Sequence, residues 1–280
     1  MVSNCYSQLK SILSNFPHLY QLFADEFIKE QCKKGLKNYI LKSLYKDNTN
    51  RTWQHLPTIE RRLIELASVV GYDRLTPLLR GAIDLDEHQE VLSQIDITLW
   101  FKQKKLLKEI GPKLPHRLGN ADALLSFSGQ DIYCEITSFQ SLAKSIKLKG
   151  TSDKNKVRSR WGRLKKHYPW LTEQDVENEI EEAKAVRILL KKTQQLPPAY
   201  TGILALDTSK ALMFAHNVEK IACKLFPQRS NVALIGLWSG ERGTQQGKPP
   251  FWYFNTNSHF KNTGQELLKY LGQAGKAKYL

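Results

Sequence analysis

A chain of 280 residues with 41% hydrophobic and 25% charged side chains has the composition of a folded globular protein, long enough for one large or two modest cores. No apolar run approaches the roughly 18 to 20 residues that a membrane helix requires, and no basic segment followed by an apolar one opens the chain. The reading is therefore a cytoplasmic protein with neither span nor signal peptide. The 42 Lys and Arg against 27 Asp and Glu leave a net charge of +15, which puts a polyanion first among partners.

Residues 1 to 80 read as helical throughout. Leu9, Ile12, Leu13 and Phe16, then Leu19, Leu22, Phe23 and Phe27, recur at helical spacing with a break at Pro17. A second helix is expected over Glu30 to Tyr45, a loop at Asp47 to Asn50, and a further helix from Pro57 to Gly71. The bases Lys33, Lys34, Lys37, Arg61 and Arg62 form either a solvated helix face or a DNA contact. Four scattered cysteines, Cys5, Cys32, Cys134 and Cys223, contain no Cys-x-x-Cys pair, which argues against zinc and against a disulfide scaffold. They are read as reduced, with Cys134 and Cys223 as buried filler.

A helical pattern returns from Asp84 to about Lys105, its acidic start at Asp84, Asp86 and Glu87 suiting the positive end of a helix dipole. Leu106 to Ile110 reads as a short strand ended by Gly111-Pro112. The segment Asn120 to Phe139, NADALLSFSGQDIYCEITSF, then reads as a β-hairpin: a strand from Ala121 to Phe127, a turn Ser128-Gly129-Gln130, and a strand from Asp131 to Thr137. Pairing across that turn brings Asp122 and Glu135 toward the same level with solvent-facing carboxylates. Two such groups repel unless a cation or proton lies between them, and oxygen-only ligation suits Mg²⁺. Ordinary surface acids on a solvated hairpin are the alternative.

The hairpin resembles the core of the PD-(D/E)XK nuclease superfamily. Asn120-Ala121-Asp122 stands where that family has Pro-Asp, and Glu135-Ile136-Thr137 where it has Asp/Glu-x-Lys, so Thr137 departs from the pattern. The resemblance covers roughly residues 84 to 256 and implies a restriction-endonuclease-like α/β fold, a central mixed sheet flanked by helices, over residues 81 to 280. Residues 1 to 80 would be a separate helical region. It implies Mg²⁺-dependent (or Mn²⁺-dependent) phosphodiester hydrolysis, with Asp122, Glu135 and the main-chain carbonyl of Ile136 as metal ligands. Glu90 would be an added acid from the preceding helix, and Glu87 is second to it.

Beyond the hairpin, Lys144 to Lys166 contains ten bases and the single acid Asp153, a run read as a mobile loop when unbound. Trp161, Tyr168 and Trp170 interleave its end, as in a segment that combines phosphate attraction with stacking surfaces. Lys154, Lys156, Arg158, Arg160 and Arg163 are the candidate nucleic-acid contacts, and a solvated insertion is the alternative. Residues 81 to 150 hold nine bases and nine acids whereas every flanking stretch is basic, a distribution suited to a cation held at the centre and phosphate attracted around it.

Thr172 opens a helix that runs to about Gln195, where Pro197-Pro198 stops it. Some members of the resembled superfamily draw the missing Lys from the helix that follows. Lys192 is the first candidate here, with Gln195 on the same face and Lys191 and Lys184 behind it, and Lys144 of the basic run is the fallback outside this helix; cations complementing the helix dipole are the alternative. Gly202 to Asp207 and Asn231 to Trp238 read as buried strands around a helix from Ala211 to Phe226. Phe251 to Asn255 reads as an aromatic edge strand, followed from Gly264 by a last helix. The most concrete reading is a metal-dependent nuclease acting on nucleic acid, double-stranded DNA first. A catalytically inactive nucleic-acid-binding module is the alternative, and an interaction protein whose charge serves solubility or RNA contact is a third. Oligomeric state is left open, a homodimer among the options.

Overall fold

The computed structural model describes residues 2–46, 55–115, 119–138, 158–159, 161–163, 165–166, 173, 186–207, 215–238 and 250–280. Its N-terminal helices follow the apolar spacing of the sequence. Helix α1 (Val2–Leu13) buries Leu9, Ile12 and Leu13, and α2 (Pro17–Phe23) starts with Pro17 in its first turn, where a missing N–H costs nothing. The N-terminus of α2 is closed by Glu60, whose carboxylate accepts from the His18 and Leu19 amides at 2.8 and 3.0 Å. A buried anion at the positive end of a helix dipole explains this acid.

The helix expected over Glu30 to Tyr45 is instead two, α3 (Asp25–Lys34) and α4 (Tyr39–Lys46). Gly35 and Leu36 take positive φ (86° and 52°), which ends α3. The buried Asn38 then restarts the chain by accepting from the Leu41 amide and donating to the Leu79 and Ala82 carbonyls. Cys5 and Cys32 form a disulfide with Cα atoms 6.0 Å apart, against the reduced state expected. Helix α1 packs on α3, and that tertiary contact leaves no trace in Cys spacing. Cys134 is buried as expected, but Cys223 is exposed.

Helices α5 (Leu56–Leu66), α6 (Leu75–Gly81) and α7 (Leu85–Gln103) complete the helical part. One apolar cluster runs from Cys5 to Ile110, so the helices of residues 1 to 80 share a core with α7 and strand β1 (Leu107–Ile110). Gly71 makes the join: Ile110 donates to the Val70 carbonyl, and a Cβ at Gly71 would stand 2.0 Å from the Ile110 oxygen. With its φ of 81°, this position admits only glycine.

The protein is α/β, with a seven-stranded mixed sheet, flanking helices and a helical N-terminal region. The chain falls into two compact units that divide after Ile136. In the first unit, β1 pairs antiparallel with β2 (Ala123–Phe127), and β2 with β3 (Gln130–Ser138).

In the second unit, β4 (Thr201–Asp207) and β5 (Val232–Trp238) run parallel around α8 (Ala215–Leu225). Both strands are buried almost end to end, which explains their continuous apolar sequence. β6 (Phe251–Phe254) is antiparallel to β5 and is not an edge: β7 (Lys278–Tyr279) pairs with it in parallel. Two residues at a chain end carry no readable periodicity. Helix α9 (Lys261–Tyr270) packs on β5 and β6, bringing Gly264 close under the Phe254 ring. Gly236 of β5 leaves room for the Trp238 and Trp252 indoles, whose atoms would come within 2.6 and 2.7 Å of an added Cβ. Among the described residues no helix is long and apolar enough to cross a membrane.

Candidate functional site

The turn between β2 and β3 has two residues, not three. Phe127 pairs with Gln130, and Ser128 and Gly129 both take positive φ (50° and 77°), the requirement of a type I′ turn. The change moves the register by one. Ala123 pairs with Cys134, the last pair of the β2–β3 ladder, and Asp122 stands just before β2 while Glu135 follows Cys134 on β3.

Three elements hold Asp122. Its main-chain oxygen accepts from the Gly111 amide at 2.9 Å, just past the end of β1. Oδ2 accepts from the Ile136 amide of β3 at 2.7 Å, and Oδ1 accepts from Nε2 of Gln94 on α7, also at 2.7 Å. Gln94 was absent from the candidates read in the sequence, although its place four residues after Glu90 on one helix face was a signal for it. Glu90 is half-buried on that face. The other acids at the start of α7 are used locally: Asp84 accepts from the Glu87 amide and Glu87 accepts from the Ile83 amide, a reciprocal cap. Asp131, the third acid of the hairpin, pairs with Lys108 at 2.8 Å.

Glu135 is 2% exposed, against the solvent-facing position expected, and Thr137 is equally buried. Strand β3 is covered on both faces from Ile132 onward, and a hairpin with one wet face does not describe it. Between the acids' positions, burial pushes the Cys134 thiol well above its usual range, with the Asp122 and Glu135 charges adding to the effect. That thiol is inert at neutral pH.

A Mg²⁺ held by one or two carboxylates keeps several of its waters, and Asp122 and Glu135 are the hairpin acids that could serve one in that way. Among the described residues no group of three or more His, Cys, Asp and Glu side chains is placed to hold a metal, so no all-protein cage is built there.

The other candidates belong to the second unit. A helix over 186–193 carries an exposed Lys191 and a half-exposed Lys192, with Gln195 exposed just past its end. Its last turn is tied to the start of β5, because Arg229 donates to the Thr193 hydroxyl and to the Leu190 carbonyl, both at 3.2 Å. Asn231 donates to the Leu196 and Pro197 carbonyls. Arg229 thus supplies a cation at this helix C-terminus, one of the roles weighed for the lysines. In the basic segment, Arg158 and Arg163 are exposed, Arg158 lies 3.5 Å from Glu173, and Lys165 stacks over the Trp161 ring at 4.6 Å. Lys154, Lys156, Arg160, Lys144, Lys184, the expected loop at Asp47 to Asn50 and the expected helix start at Thr172 lie outside the described residues.

Comparison with known proteins returns no match. No family model, no curated protein and no solved structure matches the chain at a significant level.

Proposed function

We propose that the protein is a metal-dependent nuclease of the PD-(D/E)XK type on a restriction-endonuclease-like fold, hydrolysing phosphodiester bonds of nucleic acid, with double-stranded DNA as first substrate. The observation that supports it most is the two hairpin acids themselves, Glu135 buried in β3 and Asp122 half-buried and oriented by a helix side chain. Burying the charge of Glu135 is costly unless a cation or a proton compensates it.

A bound Mg²⁺ or Mn²⁺ lowers the pKa of a coordinated water and neutralises charge developing on the phosphate. Asp122 and Glu135 supply its anionic ligands, the Ile136 carbonyl adds a neutral one, and Glu90 is an outer carboxylate. Thr137 carries no charge, so Lys192 is assigned the cation that steadies the phosphate, with Gln195 assisting. Lys154, Lys156, Arg158, Arg160 and Arg163 attract the nucleic-acid backbone.

A second reading, a nucleic-acid-binding module without catalysis, is favoured by the buried Thr137 in the Lys position and by the absence of a three-residue metal group among the described residues. One assay separates them. Wild-type protein incubated with Mg²⁺ or Mn²⁺ and duplex DNA, single-stranded DNA or RNA cuts at least one substrate on the nuclease reading. On the binding reading it cuts none, yet neutralising Lys154, Lys156, Arg158 and Arg160 flattens the dependence of log affinity on log salt by about 0.9 per lost duplex contact. A chain that neither cuts nor binds with a salt slope contradicts both.

A further inference from the structure

We propose that Gln94 is a positioning residue for Asp122, holding its carboxylate in the orientation in which it shares one hard divalent cation with Glu135. The inference rests on the reading of that acid pair as an ion site and assigns to α7 a role in building it.

The Gln94 amide reaches Asp122 Oδ1 at 2.7 Å while the Ile136 amide holds Oδ2 at the same distance. Two donors on two oxygens stop the carboxylate rotating. The Gln94 nitrogen must face the acid, since the amide oxygen turned there would meet a second acceptor. The donor comes from a rigid support. Helix α7 is capped at its start by Asp84 and Glu87, and it is pinned along its length to α5 by Arg62 and Asp96 at 2.8 Å. Lys102 fastens its far end by donating to the Glu65 carbonyl and, at 2.9 Å, to Ser68 Oγ.

The chemistry of the donor matters as much as its place. A Lys or Arg at position 94 would pair with Asp122 and compete with any incoming cation. A neutral amide orients the carboxylate without cancelling its charge, which suits a ligand that must stay anionic. Partners of this kind orient metal-binding side chains, and losing one costs about 10- to 100-fold in metal affinity. Glu90 stands one turn earlier on the same face of α7.

The test measures Mn²⁺ binding by calorimetry on the full chain, with melting temperatures taken with and without Mn²⁺. Gln94→Met keeps length and removes the donor; the expected result is affinity lower by about 10- to 100-fold with the metal-free melting temperature near that of wild type. Gln94→Leu removes the same donor with a branched apolar side chain and is expected to lose affinity by the same factor. If wild type binds Mn²⁺ and both variants bind it equally well, with only their melting temperatures lowered, Gln94 is a packing residue and this inference alone is overturned. If Gln94→Met does not fold, an affinity of Gln94→Leu equal to wild type overturns it. Absence of Mn²⁺ binding by wild type overturns the inference together with the ion-site reading beneath it.

Discussion

Two acids of the first unit, Asp25 and Asp122, are each held by several donors, and the kinds of donor set them apart. Asp25 accepts from the Tyr6 and Tyr20 hydroxyls and pairs with Lys10 at 3.3 Å, while Lys10 and Lys29 stand over the Tyr6 ring. Its cation is built in. The donors to the Asp122 carboxylate include two neutral amides, and the same hairpin carries a buried acid in Glu135. Asp25 is finished as a structural link between α1, α2 and α3, whereas the hairpin concentrates negative charge where the rest of the chain is basic.

The largest effect expected from this contrast is on catalysis. Asp122→Ala or Glu135→Gln should lower metal-dependent cleavage by more than about 100-fold, since loss of a ligand exceeds loss of its supporting partner, while Asp25→Ala leaves the cleavage rate within a small factor of wild type. Equal losses in all three, measured on folded protein, would erase the distinction. Next in size, Lys192→Met should reduce the rate by roughly 100-fold, as removing one preorganised charge-stabilising donor does, with nucleic-acid affinity changed far less. Full activity in that variant removes Lys192 from the mechanism and turns attention to Lys191, Lys184 and Lys144.

Breaking the Cys5–Cys32 bond tests the scaffold half. The bond spans 27 residues, and a closed loop of that order contributes about 3 kcal/mol through the unfolded state. Reduction, or Cys5→Ser with Cys32→Ser, should therefore lower the melting temperature and leave Mn²⁺ affinity unchanged. The smallest effect is one of pH. Hydrogen bonds from Tyr20 first and Tyr6 next, with Lys10 adding, hold the Asp25 carboxyl down at about 2 against an ordinary value of 3.8. A depressed folded-state pKa means stability that is fully present above pH 3.8 and lost as pH falls toward 2. Comparing acid unfolding of wild type with Asp25→Asn should show the wild-type advantage shrinking through that window. An advantage that persists unchanged below pH 2 would assign it to something other than ionisation.

What the sequence determined by itself is whatever depends on near neighbours. Apolar spacing marks α1, α2, α5 and α7, and continuous apolar runs mark β4 and β5. Glycine with alternating residues marks the hairpin, and the cap of α7 is written in Asp84 and Glu87. These signals are local because a helix or strand buries its face by the period of its own residues. The tertiary structure alone decided the rest. It split α3 from α4 through two positive φ values and the long-range bonds of Asn38, and it joined Cys5 to Cys32 across a helix pair. It paired β7 with β6, and it buried Glu135 by covering both faces of β3. The register of the hairpin turned on whether Gln130 belongs to the turn or to the ladder, and that one residue decides which side chains of β2 and β3 face each other. Gln94 reaches Asp122 across 28 positions of sequence; its spacing from Glu90 marked its helix face, but only the packing of α7 decided which residue it meets.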